Sequence, residues 1–120
     1  MPWRKRKPDI QDVLFDPGTV DVVALSSDGA SVELHIVADD PWSGSDDQLR
    51  SLQEKMDNYV VYAEDGQLAA AYPETVGMAW VIVVTSHAGP PDARTAELLK
   101  TTAPVIRRYG GDLRIGDQPV

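Results

Sequence analysis

The 120-residue chain has no cysteine. That removes disulfide staples, thiolate metal sites and thiol nucleophiles together. Small secreted domains usually lean on disulfides, so a cytoplasmic location is expected. No stretch approaches the ~20 apolar residues needed to cross a bilayer, and no membrane span is expected. The first seven residues, Met1-Pro2-Trp3-Arg4-Lys5-Arg6-Lys7, begin with positive charge as a signal peptide does. The apolar run and small-residue cleavage site that should follow are missing, and Asp9, Gln11, Asp12 and Asp16 stand in their place, so no export signal is read. Repeats and low-complexity tracts are also lacking.

What the chain does carry is acid. Nineteen Asp and Glu face eleven Lys and Arg, a formal net charge of −8. Four of the basic residues are Arg4 to Lys7, so from residue 8 onward seven oppose all nineteen acids, and that part carries −12. Such a body repels phosphate backbones, which argues against nucleic acid as partner of the folded domain, and it attracts a basic protein. The Arg4–Lys7 run, flanked by Pro2 and Pro8, reads as a solvated arm rather than a contact for nucleic acid or anionic lipid. A chain of this length forms one domain and needs neither metal nor disulfide to fold.

Residues 1–17 are expected as the basic arm, 18–117 as a single domain and 118–120 as a tail. Val20 to Ser26 is short and β-branched, hence a strand. Asp28-Gly29 then signals a hairpin, because glycine tolerates positive φ. Ser31 to Ala38 alternates, with Val32, Leu34, Ile36 and Ala38 on one face and Glu33 and His35 on the other. Ser45-Asp46-Asp47-Gln48 has the form of a capping box. The helix it opens should run from Asp46 to about Glu64, with Leu49, Leu52, Met56, Tyr59, Val60 and Ala63 as its apolar stripe and Gly66 as its stop. Gln67 to Tyr72 extends it by a turn or forms a loop, and Tyr72 to Gly77 is a turn. Met78 to Ser86 is apolar on both faces, as a central strand is. Asp92 to Tyr109 is a second helix, which Pro104 should kink or split. Asp112 to Ile115 is a last short strand. The order ββαβαβ predicts an α/β (α+β two-layer) fold, a four-stranded mixed sheet with two helices packed on one face.

Several of these residues together resemble a known family. They are Val20-Asp21-Val22-Val23, Trp42, Leu49-x-x-Leu52-Gln53-x-Lys55, Asn58-Tyr59, Gly66-Gln67, Tyr72-Pro73-Glu74 and Gly77 before an apolar strand. Their order and spacing are similar to an uncharacterised bacterial family classed only as a domain of unknown function. The resemblance covers roughly residues 19–115 and implies a fold and a bacterial origin, with no catalytic residues to carry over. The chain departs from that pattern where Ser43-Gly44-Ser45 replaces a carboxylate-rich stretch after the tryptophan, and in its basic arm.

Candidate chemistry gathers where the two long strands end. If these strands are parallel neighbours, Asp39, Asp40 and Trp42 approach Ser86 and His87 at the edge where open α/β sheets place ligands. Asp40, His87 and Ser86 would be the parts of a hydrolase site, although no Gly-x-Ser-x-Gly elbow surrounds Ser86. Asp39, Asp40, Asp46 and Asp47 could offer oxygens to a hard cation, but without the spacing of a calcium loop; capping and strand-end roles account for them. His35 is read as a strand residue on a partly exposed face, and Gly89-Pro90-Pro91 lacks the Lys and hydroxyl of a phosphate loop. Trp42 and Tyr72 are candidate partner anchors. No cofactor is expected. The function these readings favour is a small acidic protein-binding domain, of immunity or antidote type or a homodimer. An enzyme or ligand-binding domain with its site near Asp39, Asp40, Ser86 and His87 is the alternative.

Overall fold

The computed structural model describes residues 21–38 and 40–120. The arm expected over residues 1–17, and Asp39, lie outside the described residues. Strand β1 (Val22–Leu25) pairs antiparallel with β2 (Ser31–Ala38), with Val22 opposite His35 and Leu25 opposite Val32. Between them Asp28 folds back on its own turn, its carboxylate accepting from the Ser26 hydroxyl at 2.6 Å and the Ala30 N–H at 2.9 Å. That local satisfaction is why Asp and Gly suit the turn. The alternation of β2 translates directly into burial: Val32, Leu34, Ile36 and Ala38 are all fully buried.

Helix α1 (Asp46–Glu64) begins as its cap sequence dictates, with the Ser45 hydroxyl accepting from the Gln48 N–H. The reciprocal half of the box differs from expectation. The Gln48 side-chain oxygen reaches past the cap to the N–H groups of Ser43 (2.9 Å) and Gly44 (3.3 Å), while the Ser45 N–H donates to the Ser43 hydroxyl. The helix buries more polar material than hydropathy alone suggests. Gln48, Ser51 and Lys55 are buried beside Leu52, Met56, Tyr59 and Tyr62, while Leu49, Val60 and Ala63 are only partly so and Val61 is exposed. Lys55 is tolerated inside because its ammonium lies 2.8 Å from an Asp21 carboxylate oxygen. The other Asp21 oxygen accepts from the Val37 N–H, and the Asp21 N–H donates to the Tyr59 hydroxyl, which itself donates to the His35 carbonyl. The start of β1, the middle of β2 and one face of α1 are thereby tied in a single polar knot.

Gly66, at φ +95°, stops the helix and opens a separate short helix, α2 (Gln67–Ala71), followed by a 3-10 turn at Pro73–Thr75. Strand β3 (Ala79–Ser86) runs parallel to β2 from Ser31 opposite Ala79 to Ala38 opposite Ser86. Helix α3 (Ala93–Arg108) is capped by Asp92, whose carboxylate accepts from Arg94 and Thr95 N–H groups. It passes through Pro104 without splitting. Both Pro104 and Lys100, whose carbonyl loses its partner, are exposed, so water can satisfy that carbonyl, while Leu99, Ala103 and Ile106 hold both halves of the helix to the core.

Strand β4 (Leu113–Ile115) lies parallel to β3, and a fifth strand, β5 (Gln118–Pro119), pairs antiparallel with it. Among the described residues the sheet therefore has five strands and there are three α-helices, against four and two expected. Residues 118–119, expected in a tail, form the edge, where a proline that cannot donate to a ladder is at home. Strand order is β1-β2-β3-β4-β5. Both crossovers step the same way across the sheet, and the helices pack over its Val32, Leu34, Ile82, Val84 and Leu113 face in one core.

Candidate functional site

The parallel β2–β3 pairing brings the two strand ends together, with the His87 N–H on the Ala38 carbonyl at 2.9 Å. The described hydrogen bonds at this edge centre on the Ser86 hydroxyl. The Ser86 hydroxyl donates to the Gly89 carbonyl and accepts from the Trp42 indole N–H at 3.0 Å, with the Ala88 N–H at 3.4 Å. Its proton is thus directed into the loop after β3, onto the Gly89 carbonyl. Trp42, half-buried against the core, anchors the loop before α1 to the same hydroxyl. His87 and Asp40 are exposed. Asp46 is paired with Arg94 at 2.9 Å, which holds its carboxyl below the ordinary carboxylate value, and Asp47 with Arg50 at 3.2 Å. Arg94 also donates to the Gly44 carbonyl at 2.7 Å, so the starts of α1 and α3 are joined across this edge. Among the described residues no three His, Asp or Glu side chains gather as a metal site. The crevice that open α/β sheets offer forms where strand order reverses, and the order of the described strands has no such reversal.

Two other surfaces emerge. On the face of the sheet opposite α1 and α3, Glu33 accepts from Arg114 (2.9 Å) and is paired with His35 Nε2 (2.9 Å), while His35 Nδ1 lies 3.3 Å from the Thr85 hydroxyl. The Arg114 hydrogen bond, with help from His35, holds the Glu33 carboxyl below its ordinary value against the opposing effect of burial. These side chains floor an open concavity of about 720 Å³ whose rim includes Asp28 and Asp117 from the two hairpin turns. Hydroxyl, imidazole and carboxylate stand in the order of a nucleophile, its base and an orienting group, yet the hydroxyl contact is long and Glu33 is shared with a guanidinium. The arrangement suits a rigid hydrogen-bonding patch better than proton abstraction.

The second surface is a groove of about 300 Å³ between the C-terminal halves of α1 and α3. Met56, Val60 and Ile106 floor it, and Val61, Val105 and Tyr109 project into it at 52%, 46% and 53% exposure, a level of apolar exposure that the core positions never reach. Asp57 and Glu64 stand on its rim, and no Lys or Arg among the described residues pairs with either. Tyr72 is exposed at the joint between α2 and the 3-10 turn and is not among the residues that line this groove.

Comparison with known families decides the wider affiliation. Residues 13–117 match a family of unknown function. The chain belongs to DUF6572. The match takes in every described element except β5, and it leaves Arg4–Lys7 outside the DUF6572 region. No curated protein matches the chain, and no solved structure does.

Within the DUF6572 region both surfaces escaped the sequence. Glu33-x-His35 on one face of a strand was visible as alternation, but Thr85 and Arg114 join it only through the pairing of β2 with β3 and β3 with β4. The groove depends on which flanks of two helices meet, and neither helix contains that information alone.

Proposed function

We propose that this DUF6572 member is a small, non-catalytic protein-binding domain whose acidic surface receives a basic partner. The groove between α1 and α3 carries the reading. Exposed apolar side chains clustered in a concavity are what an interface core requires, and an amphipathic helix or an aromatic anchor fits such a groove. Carboxylates on its rim, on a body of net negative charge, favour cations beside that anchor and speed encounter with them. An immunity- or antidote-type protein that covers a basic toxin surface is one form of this reading, and a homodimer is the other. A bacterial, cytoplasmic setting belongs to the same reading, in keeping with the absence of cysteine.

The test is capture from the native cell extract by wild type and by a Val61→Asp/Val105→Asp variant. Both positions are exposed, so the variant should keep its fold, as circular dichroism would verify. A basic protein should be retained by wild type, released by high salt and lost by about tenfold or more on the variant. Enrichment of no basic protein, or equal retention by both, overturns the reading. Light scattering at micromolar concentration settles the dimeric form, which requires twice the chain mass.

A further inference from the structure

We infer that the α1–α3 groove has an occupant within the chain itself: the segment Trp3-Arg4-Lys5-Arg6-Lys7, which lies outside the described residues. The inference rests on the reading of that groove as a binding site and names what it holds before a partner arrives. The groove asks for two things in close succession, a bulky apolar side chain for the space around Val60, Val61, Val105 and Tyr109, and cations for Asp57 and Glu64. Trp3 followed by four consecutive cations supplies both. The other two tryptophans are already placed, Trp42 on the Ser86 hydroxyl and Trp80 buried in the core. The remaining Lys and Arg are scattered through the fold, and Arg94, Arg107 and Arg114 are held by Asp46, Asp112 and Glu33.

Reach and concentration favour the same occupant. The described chain begins at Asp21, whose N–H is fixed to the Tyr59 hydroxyl of α1, the helix that forms one wall of the groove. The residues between Lys7 and Asp21 can extend to about 45 Å, longer than the 37 Å greatest dimension of the domain. A tethered segment meets its site at an effective concentration on the order of 1 mM, so contacts too weak to bind a free peptide still fill the groove. The consequence is competition. A basic partner must displace the arm, and it succeeds only by offering a better anchor or more cations.

Methyl NMR spectra of the full chain test this. The probes are the Val61, Val105 and Ile106 methyls, compared between wild type, Trp3→Ala, and Arg4→Gln/Lys5→Gln/Arg6→Gln/Lys7→Gln at low salt. The groove methyls should shift in both variants, and raising sodium chloride to about 0.5 M, where screening acts within ~4 Å, should move wild type toward the quadruple variant. Reciprocally, Val105→Asp should move the Trp3 indole N–H signal toward the position of a free tryptophan. Methyl signals indifferent to both arm variants overturn the inference. So does a transfer of signal between labelled and unlabelled chains, which would place the arm in a second copy. The two readings can fail separately. Indifferent methyls with partner capture lost in Val61→Asp/Val105→Asp would sink the arm alone, whereas arm-dependent methyls without any captured basic protein would sink the partner alone.

Discussion

Asp21 does more than one residue usually does. One carboxylate oxygen faces the Lys55 ammonium, the other accepts from Val37, and its N–H caps the Tyr59 hydroxyl. Removing an ionic partner from a buried charge is far more damaging than replacing the pair with apolar groups. Asp21→Ala should therefore cost about 3 kcal/mol in urea unfolding, and Lys55→Met clearly less, since methionine fills the same buried space and Asp21 keeps some access to water. Equal losses would show that the knot is packing and not charge. Glu33 makes a separate prediction in pH. Its carboxyl is held below the ordinary value of 4.5 by Arg114, so its contribution is complete above that value and is lost as pH falls through the depressed one. Glu33→Gln should flatten that acid limb of a stability–pH curve; an unchanged limb would refute the pairing. Of these groups, Tyr59 was legible as core. Lys55 was not, because a hydropathy stripe cannot know that a carboxylate waits opposite it, and burial of Gln48 likewise depends on the loop N–H groups it satisfies.

Among the elements, the two helix starts are mutually dependent. Gly44 has φ +69°, and a Cβ there would lie 2.5 Å from an Asp92 carboxylate oxygen, the group that caps α3. Gly44→Ala should destabilise by roughly 2 kcal/mol, and Asp92→Ala by about 1 kcal/mol. Together they should cost less than the separate losses added, because removing Asp92 removes the clash. Strict additivity in thermal unfolding would show that the two starts do not touch. Pro104 offers the opposite sign. Its position in α3 is exposed and its cost in the helix interior is real, so Pro104→Ala should stabilise by about 1–3 kcal/mol. α1 was legible to the residue at both ends because Ser45 and Gly66 carry unambiguous local chemistry. α2 was left between helix and loop, since five residues after a stop have no period to read. Of the kink or split expected at Pro104, the split does not occur, because a local rule cannot see the core contacts of Leu99, Ala103 and Ile106 that hold both halves of the helix.

For the molecule as a whole, the hairpin, the parallel central pair and the helices on one face followed from alternation, an apolar run and handedness. β5 did not, for Gln118-Pro119 has no pattern and pairs only because the turn at Gly116 and Asp117 delivers it to β4. The strand order has a kinetic meaning. Every strand adds beside the one before it, so no strand has to insert between two that are already in place. Chain closure is most demanding for the parallel pair β2–β3, whose partners are separated by the whole of α1 and α2. Once that pair is made, β1 and then β4 with β5 can accrete at its sides at little further entropic cost. Native-state amide exchange should record this order as a gradient of opening free energies across the sheet, slowest in β2 and β3 and fastest in β5 and β1. Uniform protection from edge to edge would mean instead that the five strands open as one unit.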